Sequence, residues 1–135
     1  MSKWILILFA VALLQSCSKN DSVTIKDLRE TMFDLRAYQE NLGDQIKAGK
    51  LQDAVWLLEG MDSVLGEIKK KFSEHRKLDE PFSYYYKIKM KDPIRLMRQS
   101  IRDDDTSLAM KGYRMLVNKC NSCHTDNDVD KDVNF

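Results

Sequence analysis

Thr106-Ser107-Leu108-Ala109-Met110-Lys111-Gly112-Tyr113-Arg114-Met115-Leu116-Val117-Asn118-Lys119-Cys120-Asn121-Ser122-Cys123-His124 is the stretch that decides the fold class. Ala109, Tyr113, Leu116, Cys120 and Cys123 recur at steps of four and three, the spacing of residues that share one helix face. Asp103-Asp104-Asp105 stands directly before it and reads as a turn, with acidic residues at the positive end of the helix dipole. Working back, Asp92-Pro93 places proline at the first position of a third helix, with Ile94, Met97 and Ile101 on its buried face. A second helix is expected from about Leu51 to His75. Its apolar face is Leu51, Val55, Leu58, Met61, Leu65, Ile68 and Phe72, and Gly60 and Gly66 weaken it without ending it. The first helix opens on Thr24 as N-cap with Asp27 behind it. Ile25, Leu28, Met32, Leu35, Gln39, Leu42 and Ile46 form a seam with one polar member, and Gly49 is its natural stop. Four helices, most of them joined by short connections, predict an all-α protein, an antiparallel four-helix bundle over residues 24–135. The chain carries only two prolines and five glycines in 135 residues, a composition that favours helix over sheet.

Residues 76–92 do not follow this period. Asp79-Glu80-Pro81 breaks it, and the following Phe82 to Met90 mixes aromatic residues with lysines. The expectation here is a long connection with some helical turn, covering one end of the bundle.

The amino-terminal end is a different kind of polymer. After Lys3, Trp4 to Leu14 is an unbroken apolar run of 11 residues, too short to cross a bilayer and right for a signal-peptide core. Leu14-Gln15-Ser16-Cys17 then resembles a bacterial lipobox, in which a small residue precedes a cysteine that becomes lipidated. The reading is a lipoprotein-type signal over 1–16, Cys17 as the acylated mature terminus and 17–23 as a polar tether. The protein is then exported and anchored to a membrane facing the periplasm. Each acyl methylene buried would add about 0.8 kcal/mol of membrane affinity. The alternative is an ordinary secretory signal with an incidental cysteine. Of the 22 lysine and arginine residues one, Lys3, falls in the leader, and the remainder balance the 21 acidic residues. No basic excess points to nucleic acid as a partner.

Cys120-Asn121-Ser122-Cys123-His124 fits C-x-x-C-H, the pattern of covalent c-type haem attachment. On a helix the two cysteines and the histidine project together. Two thiols can join the two vinyl groups at a haem edge, and the adjoining imidazole can reach the iron. Covalent attachment suits an exported protein, which could otherwise lose its cofactor. A zinc half-site would need further ligands, and beyond His124 the mature part offers only His75 and carboxylates. A thioredoxin-like pair is expected near a βαβ pattern, which is absent. A plain Cys120–Cys123 disulfide in an exported structural lipoprotein is the remaining non-haem alternative.

A haem motif on the last helix of a four-helix bundle resembles the cytochrome c′ family, including its low-spin, methionine-ligated members. The first helix adds to this. Asp27-Leu28-Arg29-Glu30-Thr31-Met32-Phe33-Asp34-Leu35 resembles the start of four-helix cytochromes in which an early methionine binds the iron. The resemblance implies one haem c between the first and last helices, with iron ligated by His124 and Met32, and it admits a homodimer. Methionine is also an ordinary core filler, and Met61, Met90, Met97, Met110 and Met115 are rivals.

The remaining singled-out residues read as surface. Arg29, Arg36, Arg114 and Lys119 could face haem propionates but are expected as ordinary surface charges. His75 is expected to be exposed. Asp126, Asp128 and Asp130 alternate, but Lys131 stands where a calcium loop needs glycine, so Thr125 to Asp130 is expected to be a solvated tail. No catalytic constellation is evident, and one motif excludes a multihaem reductase. The expected function is electron transfer with a redox partner protein at the membrane. A five-coordinate haem that binds or senses small gases such as nitric oxide is the alternative.

Overall fold

The computed structural model describes residues 25–73 and 78–129. The leader, Cys17, the tether, Thr24, His75 and Asp130 onward lie outside the described residues. All regular structure among the described residues is helical: α1 (Ile25–Lys47), α2 (Leu51–Lys71), α3 (Phe82–Tyr85), a π-helical turn (Tyr86–Met90), α4 (Lys91–Arg102) and α5 (Thr106–Asp126). The chain is an all-helical bundle around one apolar core.

The expected seam is the core. Leu42 and Ile46 of α1 are fully buried. Leu51, Leu58, Met61, Leu65 and Ile68 of α2 join them, as do Ile94, Met97 and Ile101 of α4 and Ala109, Tyr113, Leu116 and Val117 of α5. Gln39, the polar member of the seam, is also buried and donates from Nε2 to the Tyr113 hydroxyl. Gly43 lets α1 and α5 come close there, since a Cβ at that position would run into the Tyr113 ring. Across the bundle Arg98 of α4 binds Glu59 of α2 through both carboxylate oxygens, at 2.7 and 3.1 Å, and reaches Asp62 at 2.9 Å.

Three helices end in one way. After α1 the Lys50 amide bonds the Gln45 carbonyl at 2.9 Å and the Gly49 amide bonds Ile46 at 3.0 Å, with Gly49 at φ +71°. This is a Schellman stop, which recovers carbonyls that the helix end would otherwise leave open. Asp104 (φ 56°) does the same after α4, where the Asp105 amide bonds Ser100 at 2.8 Å. Asp128 (φ 52°) does it after α5, where the Val129 amide bonds His124 at 2.8 Å. The three aspartates also start α5 as expected, Asp105 Oδ1 accepting from the Leu108 amide at 2.8 Å.

Two expectations are corrected. Helix two stops at Lys71 rather than His75, because Phe72 leaves the helical conformation (φ −121°, ψ 34°) and buries its ring in the core. The third helix does not begin at Pro93. A helical rod already starts at Phe82, with Pro81 at its cap, and runs without interruption to Arg102. Pro93 lies inside that rod, lacks the N–H that would close on Lys89, and crowds that carbonyl in a regular helix. The wider turn over Tyr86–Met90 lies directly upstream, with the Lys91 amide bonding the Tyr86 carbonyl. Such a turn re-spaces the backbone where proline breaks the ladder.

Candidate haem-attachment site

Cys120, Cys123 and His124 all lie on the last two turns of α5. Cys123 is buried, and Cys120 and His124 are half-buried. Both cysteines are free thiols. Burial, reinforced by the neighbouring Cys123, pushes the Cys120 thiol up to about 12 from its ordinary 9.0. Burial also raises Cys123, while the Lys89 ammonium opposes the shift. Both sulfurs are therefore protonated, neutral and apolar near pH 7, as expected for thiols removed from water.

Met32 stands on a different helix. It is half-buried on α1 and packs, like Cys120, against the shared core cluster. Leu28, Met32 and Leu35 are all half-buried, whereas Leu42 and Ile46 on the same seam are fully buried. The apolar stripe of α1 is thus half-open at its amino-terminal end. Of the rival methionines, Met61, Met90 and Met97 are buried in the core, Met110 is half-buried and Met115 is exposed.

The expected surface cations behave as such. Arg36 pairs with Glu40 at 2.6 Å on one exposed helix face, and Arg29 lies over the Phe33 ring at 5.8 Å. Arg114 and Lys119 are exposed.

Two residues at the motif, Lys89 and Asn127, carry no mark in the sequence pattern. Lys89, from the π-helical turn, donates to Ser122 Oγ at 2.6 Å and pairs with Asp126 Oδ2 at 2.8 Å. Asn127 Nδ2 donates to the Cys123 carbonyl at 2.8 Å. Its Oδ1 accepts from the Tyr85 hydroxyl at 3.3 Å and from the Asp79 amide at 3.2 Å. The segment after His124 is therefore not a solvated tail throughout, since Asp126 and Asn127 tie the end of α5 to the rod beside it. These contacts join positions dozens of residues apart, and no local spacing announces them.

The donor set fits a covalently attached haem. Two thiols one helical turn apart can take the vinyl carbons, and an imidazole on the next residue is a ligand for iron. A zinc site would need more protein ligands, and among the described residues no group of three or more histidine, cysteine, aspartate or glutamate side chains is gathered to hold an ion. Among the described residues no helix is long and apolar enough to cross a membrane. No family model, no curated protein and no solved structure matches the chain.

Proposed function

We propose that the chain is a single-haem c-type cytochrome of the cell envelope, an electron carrier rather than an enzyme. Cys120 and Cys123 would hold the haem covalently, and His124 and Met32 would ligate its iron. The observation that carries this reading is the half-open apolar stripe of Leu28, Met32 and Leu35 together with the thiol–thiol–imidazole set on α5.

The register of the two helices supports Met32. Three-residue connections, 48–50 and 103–105, favour antiparallel neighbours. The contacts from α2 to the rod run in opposite senses, Glu59 to Arg98 and Lys69 to Tyr86. These observations support an antiparallel four-helix bundle, with α1 and α5 opposed. From Gln39 back to Met32 is seven residues, and from Tyr113 on to Cys120 is also seven. Two turns rise about 10 Å, so Met32 comes level with Cys120. This register supports the reading drawn from the sequence's resemblance to methionine-ligated members of the cytochrome c′ family.

Bound there, haem supplies a one-electron iron couple. The cysteines would keep it from dissociating, Leu28 and Leu35 would cover it with apolar surface, and ligation by His124 and Met32 would suit electron exchange and raise the potential. Cys17 acylation would hold the domain at a membrane, next to a redox partner protein. Absorption spectra of the purified, haem-matured protein in both redox states test the assignment. Low-spin haem in both states, with a methionine–iron signature, is expected. High-spin haem in both states refutes Met32 ligation and turns the reading to a binder of nitric oxide or similar gases.

A further inference from the structure

Lys89 of the neighbouring rod reaches into the attachment segment, and the π-helical turn explains how it gets there. Phe82 and Tyr85 are buried, and α-helical steps from them put position 89 on the buried line. The wider turn holds one more residue, so Met90 takes the core place and Lys89 is left one step aside. There its side chain keeps only 12 % exposure while binding Ser122 Oγ at 2.6 Å and Asp126 Oδ2 at 2.8 Å. These two acceptors bracket Cys123 and His124, and Asn127 fixes the same segment from its carbonyl side.

We propose that Lys89 is a positioning residue for the Cys120–His124 segment. Its ammonium, held by Ser122 and Asp126, keeps the last turn of α5 closed on the π-helical turn, so that both sulfurs and the imidazole share one face. The role rests on the haem reading above. It carries a second effect, because an ammonium with little water around it disfavours additional positive charge nearby. Lys89 therefore favours the reduced form of a haem held at this motif. Loss of Lys89 also leaves the Asp126 charge uncompensated, which acts in the same direction.

The test compares the full-length chain with Lys89→Met and Lys89→Arg. In the haem-free chain, amide hydrogen exchange across residues 122–126 rises about tenfold or more in Lys89→Met, stays within about threefold of wild type in Lys89→Arg, and is unchanged in α1 and α2. In the haem-matured chain the reduction potential falls in Lys89→Met and is restored in Lys89→Arg. Unchanged exchange in Lys89→Met overturns the proposal, and so does raised exchange with an unchanged potential, which leaves Lys89 a packing role only. If Lys89→Met does not fold, Ser122→Ala combined with Asp126→Asn removes both acceptors and must raise exchange over the same residues, while the potential rises, because the Lys89 charge stays and its Asp126 counter-charge is gone; unchanged exchange or a lowered potential overturns the proposal. A wild-type chain that takes up no haem ends the haem reading, while the exchange measurement still decides whether Lys89 closes the segment.

Discussion

Gln39 and Tyr113 show at the residue scale what spacing does and does not reveal. The spacing of three and four put Gln39 on the buried face of α1, but only the fold supplies the hydroxyl that accepts from it. Tyr113→Phe removes the hydroxyl that accepts from the buried Gln39 amide, and a lost hydrogen-bond partner in the interior costs about 1–3 kcal/mol. Denaturant unfolding of the haem-free variant should show a loss of that size, most of it recovered when Gln39→Leu is added. The motif is different in kind: Cys120, Cys123 and His124 are local in sequence, and one helix, α5, carries all three. Lys89 and Asn127 were not legible, because their partners lie 33 to 48 residues away. The buried thiol gives a pH prediction. Folded Cys120 keeps its proton up to about pH 12, whereas the unfolded chain loses it near the ordinary 9.0. The folded state then binds more protons than the unfolded state, and stability must fall as pH rises through that interval. Unfolding of the haem-free protein at pH 8 and at about pH 10 should show the fall, and Cys120→Ala should reduce it, leaving the part due to the raised Cys123 thiol. Met32→Ala should open one axial position of the matured haem, so carbon monoxide binds readily, the spectrum turns high-spin and the potential drops. A variant that stays low-spin would remove Met32 from the iron.

At the scale of elements, α1 and α5 followed from periodicity and their boundary signals and α2 from periodicity, whereas the end of α2 at Lys71 and the rod from Phe82 to Arg102 did not. Pro81 and Pro93 both read as boundaries, and each is a boundary in most helices. Here Pro81 caps the rod, and Pro93 is accommodated by the π-helical turn before it. That turn also breaks the three-four spacing, since the buried line passes from Tyr85 to Met90, five positions on. The aspartate turn was legible in type but not in its division of labour: Asp104 takes the left-handed position and Asp105 caps α5. Asp105→Ala should destabilise the protein by about 0.5–2 kcal/mol, the usual worth of an N-cap, read as a lower midpoint in denaturant with an unchanged slope. A variant as stable as wild type would mean that another group satisfies the Leu108 amide.

At the scale of the molecule, helical class and core were legible because the apolar seam is nearly continuous and prolines and glycines are few. The closure of the motif against the rod was not, since it depends on one extra residue in one turn. The leader and Cys17 belong to this scale as well. Mass spectrometry of the membrane fraction should find Cys17 acylated at the mature terminus, and a soluble product beginning elsewhere would remove the anchor. The claim on which all of this depends is covalent haem. The most direct measurement is a pyridine haemochrome assay of the chain produced with a c-type maturation system, beside Cys120→Ala with Cys123→Ala. The account predicts one c-type haem per wild-type chain, retained through denaturation, and no covalent haem in the double variant. A wild-type chain that emerges from maturation without haem, or holding zinc instead, would contradict it.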